Sequence, residues 1–177
     1  MSIVAFDGSS VFYDSICVSN HYRQFSVTKV HISPDNRLVA CAVGSWGVAQ
    51  KLIQQFFDMA ARDGSALRKE TFIEVPAIAE KDDFSGDIII IDRVAKRCWL
   101  YDEYADGFGT MPYEPFIIGH ERAYAVAAAH IDTLDNSKWE ELAFHLEVIA
   151  RSPHFSGRVT AAPYRLISLD DLSVREL

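Results

Sequence analysis

The run Leu38-Val39-Ala40-Cys41-Ala42-Val43 is apolar at every position. A strand turns alternate side chains to opposite faces, so an unbroken apolar run asks for cover on both. A chain with such a strand must build a layered core. It has the size to do so. At 177 residues, nearly half of them apolar, it is one ordinary domain able to bury roughly two-thirds of its unfolded surface.

Turn chemistry marks the neighbouring elements. Residues 2–6 form a short apolar run that stops at Asp7-Gly8, and residues 11–18 resume as a strand rich in β-branched and aromatic side chains. That pattern reads as an N-terminal hairpin. Residues 26–33 read as a strand broken by Pro34-Asp35-Asn36, with residues 37–43 as its partner. Gly44-Ser45-Trp46-Gly47 opens a helix in which Val48, Leu52, Ile53, Phe56, Phe57 and Ala60 recur at helical spacing; Asp63-Gly64 ends it. Residues 65–83 are irregular and charged, with a short strand near Phe72. Residues 87–92 and 97–101 form a hairpin around Val94-Ala95-Lys96, and 103–115 is a Gly-rich connection. Then come a strand at 116–118, an alanine-rich helix at 121–131, an amphipathic helix at 138–151, a last strand at 158–168 and a polar tail at 170–177 that is expected to fray. Paired hairpins with helices outside give two packed sheets, an α+β arrangement in one domain spanning 1–177.

The formal net charge of −8 argues against nucleic acid or a membrane surface as partner, since both need clustered Lys and Arg. No apolar run approaches the length of a membrane span. The start lacks the basic and long apolar regions of a signal peptide. The cysteines, Cys17, Cys41 and Cys98, are odd in number with no zinc-ligand spacing, and a reducing compartment, the cytoplasm, is expected. The histidines are scattered, so neither a metal nor a cofactor is expected. Asp82-Asp83 and Asp102-Glu103-Asp106 lack the regular loop of a calcium site. Gly107-Phe108-Gly109 lacks the strand and Lys-Ser/Thr helix of a nucleotide loop.

Several short stretches, in order, resemble the proteasome β-subunit family, most closely its bacterial HslV-like members. Ser2-Ile3-Val4-Ala5 looks like that family's mature start, where a threonine begins a short strand. Asp14-Ser15 is similar to its Asp-Ser or Asp-Gly at the end of the second strand, and Thr28-Lys29-Val30 to its lysine-bearing strand. Ala42-Val43-Gly44-Ser45 resembles its glycine turn before the first long helix. The segment 117–125 is similar to its strand-to-helix segment, and 152–159 to its late Asp-Pro-Tyr-Thr-Gly-Gly-Pro-Val stretch. The resemblance implies a four-layer αββα sandwich of the N-terminal-nucleophile (Ntn) hydrolase type. It also implies a homo-oligomeric ring, a peptide or unfolded protein as substrate, and often an ATP-dependent unfoldase partner.

A serine hydroxyl is a weak nucleophile without an adjacent base. Once Met1 is removed, Ser2 holds both groups: its Oγ attacks and its α-amine, with a reference pKa of about 8, takes the proton. The resemblance implies roles for the others. Lys29 lowers the amine's pKa by like-charge repulsion, and Asp14 pairs with Lys29. The N–H of Gly44 or Ser45 faces the oxyanion, and Ser156, with Gly157, orients the amine. The sequence departs from the family at Ser2 for threonine, Ser152 at the late acidic position, Gly119-His120-Glu121 for Gly-Ser-Gly, and Ser156-Gly157 for Gly-Gly. Taken without the resemblance, Ser2 is a small residue after an initiator methionine, Asp14 and Lys29 are a structural ion pair, and Gly44, Ser156 and Gly157 are turn residues. A catalytically silent proteasome-fold interaction protein and an amidohydrolase acting on small amides both remain open at this point.

Overall fold

A computed structural model describes residues 3–18, 24–69, 71–75, 85–102, 106–119, 121–131, 138–151 and 162–177. The chain divides into two compact units, Met1–Lys29 with Glu114–Leu177, and Val30–Tyr113.

In the first unit, β1 (Ile3–Phe6) and β2 (Ser10–Asp14) form the expected N-terminal hairpin, with Phe6 opposite Val11. Its turn has a specific cause. The Asp7 carboxylate accepts the Ser9 and Ser10 amides, each at 2.7 Å, and Gly8 sits at φ +97°, where a side chain is disfavoured. The strand expected over residues 11–18 breaks at Ser15. β3 (Ile16–Val18) continues as a separate hairpin with β4 (Gln24–Ser26).

β11 (Phe116–Gly119) and β12 (Tyr164–Ser168) flank the first hairpin, and β13 (Val174–Glu176) completes an antiparallel sheet in the order β11-β1-β2-β12-β13. Helices α3 (Glu121–Ile131) and α4 (Trp139–Arg151) pack on it. The small Ala123 and Ala127 let α3 approach closely, while Trp139, Leu142 and Leu146 fill the space over Ile3, Ala5 and Phe12. The Phe12 ring stacks on Trp139 (5.4 Å between centroids) and on Tyr164 (5.6 Å).

The second unit is a six-stranded antiparallel sheet. Its strands are β5 (Val30–Ile32), β6 (Leu38–Gly44), β7 (Phe72–Glu74), β8 (Gly86–Asp92), β9 (Arg97–Asp102) and β10 (Gly107–Met111), in the order β5-β6-β8-β9-β10-β7. As the sequence demanded, β6 is buried at every position from Leu38 to Val43. Helix α1 (Trp46–Arg62) lays Ala49, Leu52, Ile53, Phe56 and Phe57 into the core with Leu38, Ala40, Ile88, Ile90, Trp99 and Phe108. Arg37 anchors the turn before β6 through a pair with the buried Asp92. A four-residue helix, α2 (Ala66–Lys69), lies within the stretch read as irregular.

Three further expectations need correction, and a fourth, the last strand, is described only in part. The 103–115 stretch holds β10, paired on both sides. The strand expected at 26–33 is interrupted, since β4 ends at Ser26 and β5 starts at Val30. The last strand is described only from Tyr164, the rest of 158–168 lying largely outside the described residues. The tail is not frayed: β13 pairs with β12, and the Leu177 amide donates to the Tyr164 carbonyl at 2.9 Å. Leu177 also packs against the aromatic core. Ending the chain at Leu172 is therefore expected to lower the urea unfolding free energy by about 2 kcal/mol or more, from lost ladder bonds and apolar cover. An unchanged midpoint and slope would show that β13 contributes nothing.

Candidate active site

β2 runs between β1 and β12 and ends at Asp14, opposite Tyr164. Asp14 is completely buried, and its Oδ1 accepts two hydrogen bonds. One comes from the Lys29 ammonium at 2.6 Å, the other from the Ile3 amide at 2.9 Å. Its Oδ2 has no hydrogen-bond partner among the described residues. Lys29 is only 2% exposed. The segment that delivers it is tied down by main chain. The Val27 amide donates to the Ser15 carbonyl at 2.8 Å, and the Ser15 amide donates to the Pro163 carbonyl at 3.2 Å. The residue after Asp14 thus fastens the approach to Lys29, which explains why the chain leaves the ladder there.

Burial pushes the Asp14 carboxyl above its ordinary value, against the pull of the Lys29 ammonium and the Ile3 amide. A carboxylate and an ammonium removed from water together each carry a large desolvation penalty, and each is the other's main compensation. Ile3 follows Ser2 directly in the chain. The same carboxylate oxygen therefore holds the lysine and the backbone beside the expected nucleophile.

In the second unit, Gly44 ends β6 at φ +101°, a conformation that disfavours any side chain. Ser45 precedes α1 without capping it through its side chain. Instead its amide donates to the Ser85 carbonyl at 2.9 Å and its Oγ accepts from the Ser85 amide at 3.2 Å. Of the two expected oxyanion donors, the Ser45 N–H is thus engaged by Ser85. The sequence reading passed over Ser85 and Gly86 because it began the strand at Asp87. A Ser-Gly dipeptide abutting an isoleucine run was the available signal. His31 stacks on Trp46 at 5.1 Å between ring centroids, and burial lowers its pKa.

Ser2 and Ser156 lie outside the described residues, as do Gly157, His120 and Ser152. Asp14 and Lys29 are brought together. Among the described residues no group of three His, Cys, Asp or Glu side chains is arranged to hold a metal. Cys41 and Cys98 are buried and free, and burial raises both thiols. No described helix is long and apolar enough to cross a membrane.

No family model matches the sequence, and no curated protein does either. Solved structures do match in fold. Eukaryotic HslV from Trypanosoma brucei superposes with a TM-score of 0.58 at 15% identity, covering 99% of both chains. Anbu, an ancestral beta-subunit from Yersinia bercovieri, gives a TM-score of 0.60 at 15% identity, covering 99% of this chain and 86% of that one. The fold is accordingly the proteasome-like αββα class of the Ntn type expected from the sequence.

The buried pair makes a quantitative prediction. Asp14→Asn or Lys29→Met alone leaves an uncompensated buried group, at a cost of roughly 3–5 kcal/mol. The double variant removes both charges while Asn keeps an oxygen for the Ile3 amide, so it is expected to recover most of that loss in a denaturant-based double-mutant cycle. Losses that simply add would mean the two groups do not depend on each other.

Proposed function

We propose that this chain is a single proteasome-like Ntn domain that hydrolyses peptide bonds through Ser2 after Met1 is removed. The observation that carries the reading is the doubly used Asp14 oxygen, which takes both the Lys29 ammonium and the amide of the residue after Ser2. Any buried ion pair gains from a second hydrogen bond. What favours a site is where this one falls, on the residue that directly follows Ser2.

In the proposed reaction, the Ser2 α-amine accepts the hydroxyl proton as Oγ adds to the scissile carbonyl. Lys29 keeps that amine neutral near working pH by like-charge repulsion. The protonated amine then passes its proton to the leaving nitrogen, and the C–N bond breaks to leave an ester on Ser2. Water, deprotonated by the same amine, hydrolyses that ester and restores the serine. Ser156 is assigned the orientation of the amine. HslV and Anbu share the fold, which supports extending the reading to a homo-oligomeric ring that takes unfolded or peptide substrates in the cytoplasm, with an ATP-dependent unfoldase as partner.

A second reading, a catalytically silent interaction protein on the same fold, is favoured by Ser152 standing where the resemblance expects an acidic residue. Two measurements on one preparation separate them. The intact mass is expected to lack methionine, and turnover of a fluorogenic peptide is expected to fall to background in Ser2→Ala. A mass retaining methionine, or equal turnover in the two proteins, rules out Ser2 as nucleophile and leaves the silent reading.

A further inference from the structure

Helix α4 has two distinct sides. Trp139, Leu142, Ala143 and Leu146 are buried in the core of the first unit. On the other side Glu141, Phe144, Val148 and Arg151 are exposed. At roughly 100° per residue these four fall within about 80° of the helix circumference, almost opposite the buried set. Its two apolar members are large and open to solvent: Phe144 is 65% exposed and Val148 53%. Single exposed apolar side chains are ordinary, but two that stand one turn apart are contiguous. Among the described residues no other two large exposed apolar side chains share a helix.

The order of the four along the helix is self-complementary. Glu141 and Arg151 stand five residues to either side of Leu146, and Phe144 and Val148 stand two to either side. Lay a second α4 antiparallel across the first, with a two-fold axis through that midpoint. Each Phe144 then meets the partner's Val148, and each Glu141 meets the partner's Arg151. Parallel pairing would set carboxylate against carboxylate and guanidinium against guanidinium, so charge selects the antiparallel form. A rise of about 1.5 Å per residue puts the two ion pairs roughly 15 Å apart, one at each end of an apolar centre. Arg151 already meets the Glu147 carboxylate at 2.7 Å, yet its side chain is 78% exposed. A guanidinium has donors enough for a second carboxylate.

We propose that the Glu141-Phe144-Val148-Arg151 stripe is a two-fold interface whose occupant is a second copy of this chain. One patch serves both copies, so the contact closes on itself. Neither Ser2 nor Lys29 takes part, and the inference stands apart from the catalytic reading. A single helix face offers less than the roughly 800 Å² that each partner gives to a standard interface. The pairing is therefore weak in isolation, with a Kd on the order of 10 μM.

Sedimentation equilibrium over a concentration series reads the pairing as mass. The wild type is expected to rise toward twice the mass of Phe144→Asp at the same concentration, whatever other contacts the chain makes. Glu141→Lys and Arg151→Glu each set like charges together at both ends of the interface. Each alone is expected to weaken association about tenfold or more. An equimolar mixture of the two variants opposes unlike charges again, because one copy presents two cations and the other two carboxylates. The mixture is expected to regain association close to that of the wild type, and a folding defect is not repaired by mixing. A wild type that never doubles shows that another partner, or none, covers the stripe, and overturns the pairing. Single variants that associate like the wild type overturn it too, as does a mixture no heavier than its components.

Discussion

A carboxylate and an ammonium, both buried, meet at 2.6 Å at the end of β2. Such a pair persists only where the surrounding chain is rigid enough to keep the partners together, because separation strands a buried charge. The rigidity is visible two residues away. Phe12 stacks on Trp139 and Tyr164, and Tyr164 is also the residue opposite Asp14 in the ladder. The aromatic core under the helices thus fixes the register of the three strands that position the carboxylate. The Ile3 amide then ties the start of β1 to the same oxygen.

Side-chain electrostatics and backbone geometry leave different traces in a sequence. Asp14 and Lys29 are residue types that a reader of sequences looks for. The close approach of β6 and β8 at Gly44 and Gly86 rests instead on the absence of side chains at two facing positions. Such a device has almost no compositional signature. A glycine beside a helix is common, and its partner stands 42 positions later in sequence, where only the ladder register brings it opposite.

The same distinction explains what was legible in advance. The apolar run at 38–43, the helical spacing after Trp46 and the hairpin around Val94-Ala95-Lys96 report burial and turn chemistry directly, and the elements stand where those signals put them. β10 was missed because Gly107 and Gly109 look like loop residues. In the fold, a Cβ on Gly107 would meet the Phe72 ring and the Ile73 carbonyl within 2.6 Å, so glycine there serves the close approach of β7. β13 was missed because all three of its residues are exposed, with no alternation to read. Asp14 and Lys29 stood out only through resemblance to a family, since nothing local in either segment predicts that they meet. The break at 27–29 follows from that meeting, because the chain must leave the ladder to carry a lysine inward.

The central claim is that Lys29 acts on a free amine at residue 2. Direct titration of that amine by NMR, in protein labelled with ¹⁵N at serine, addresses it without any substrate. The account predicts an α-amine signal from Ser2 whose pKa lies clearly below the reference of about 8 and moves back toward it in the Asp14→Asn/Lys29→Met variant. An amine that titrates at the reference value in both proteins, or an amide resonance in its place, would contradict it.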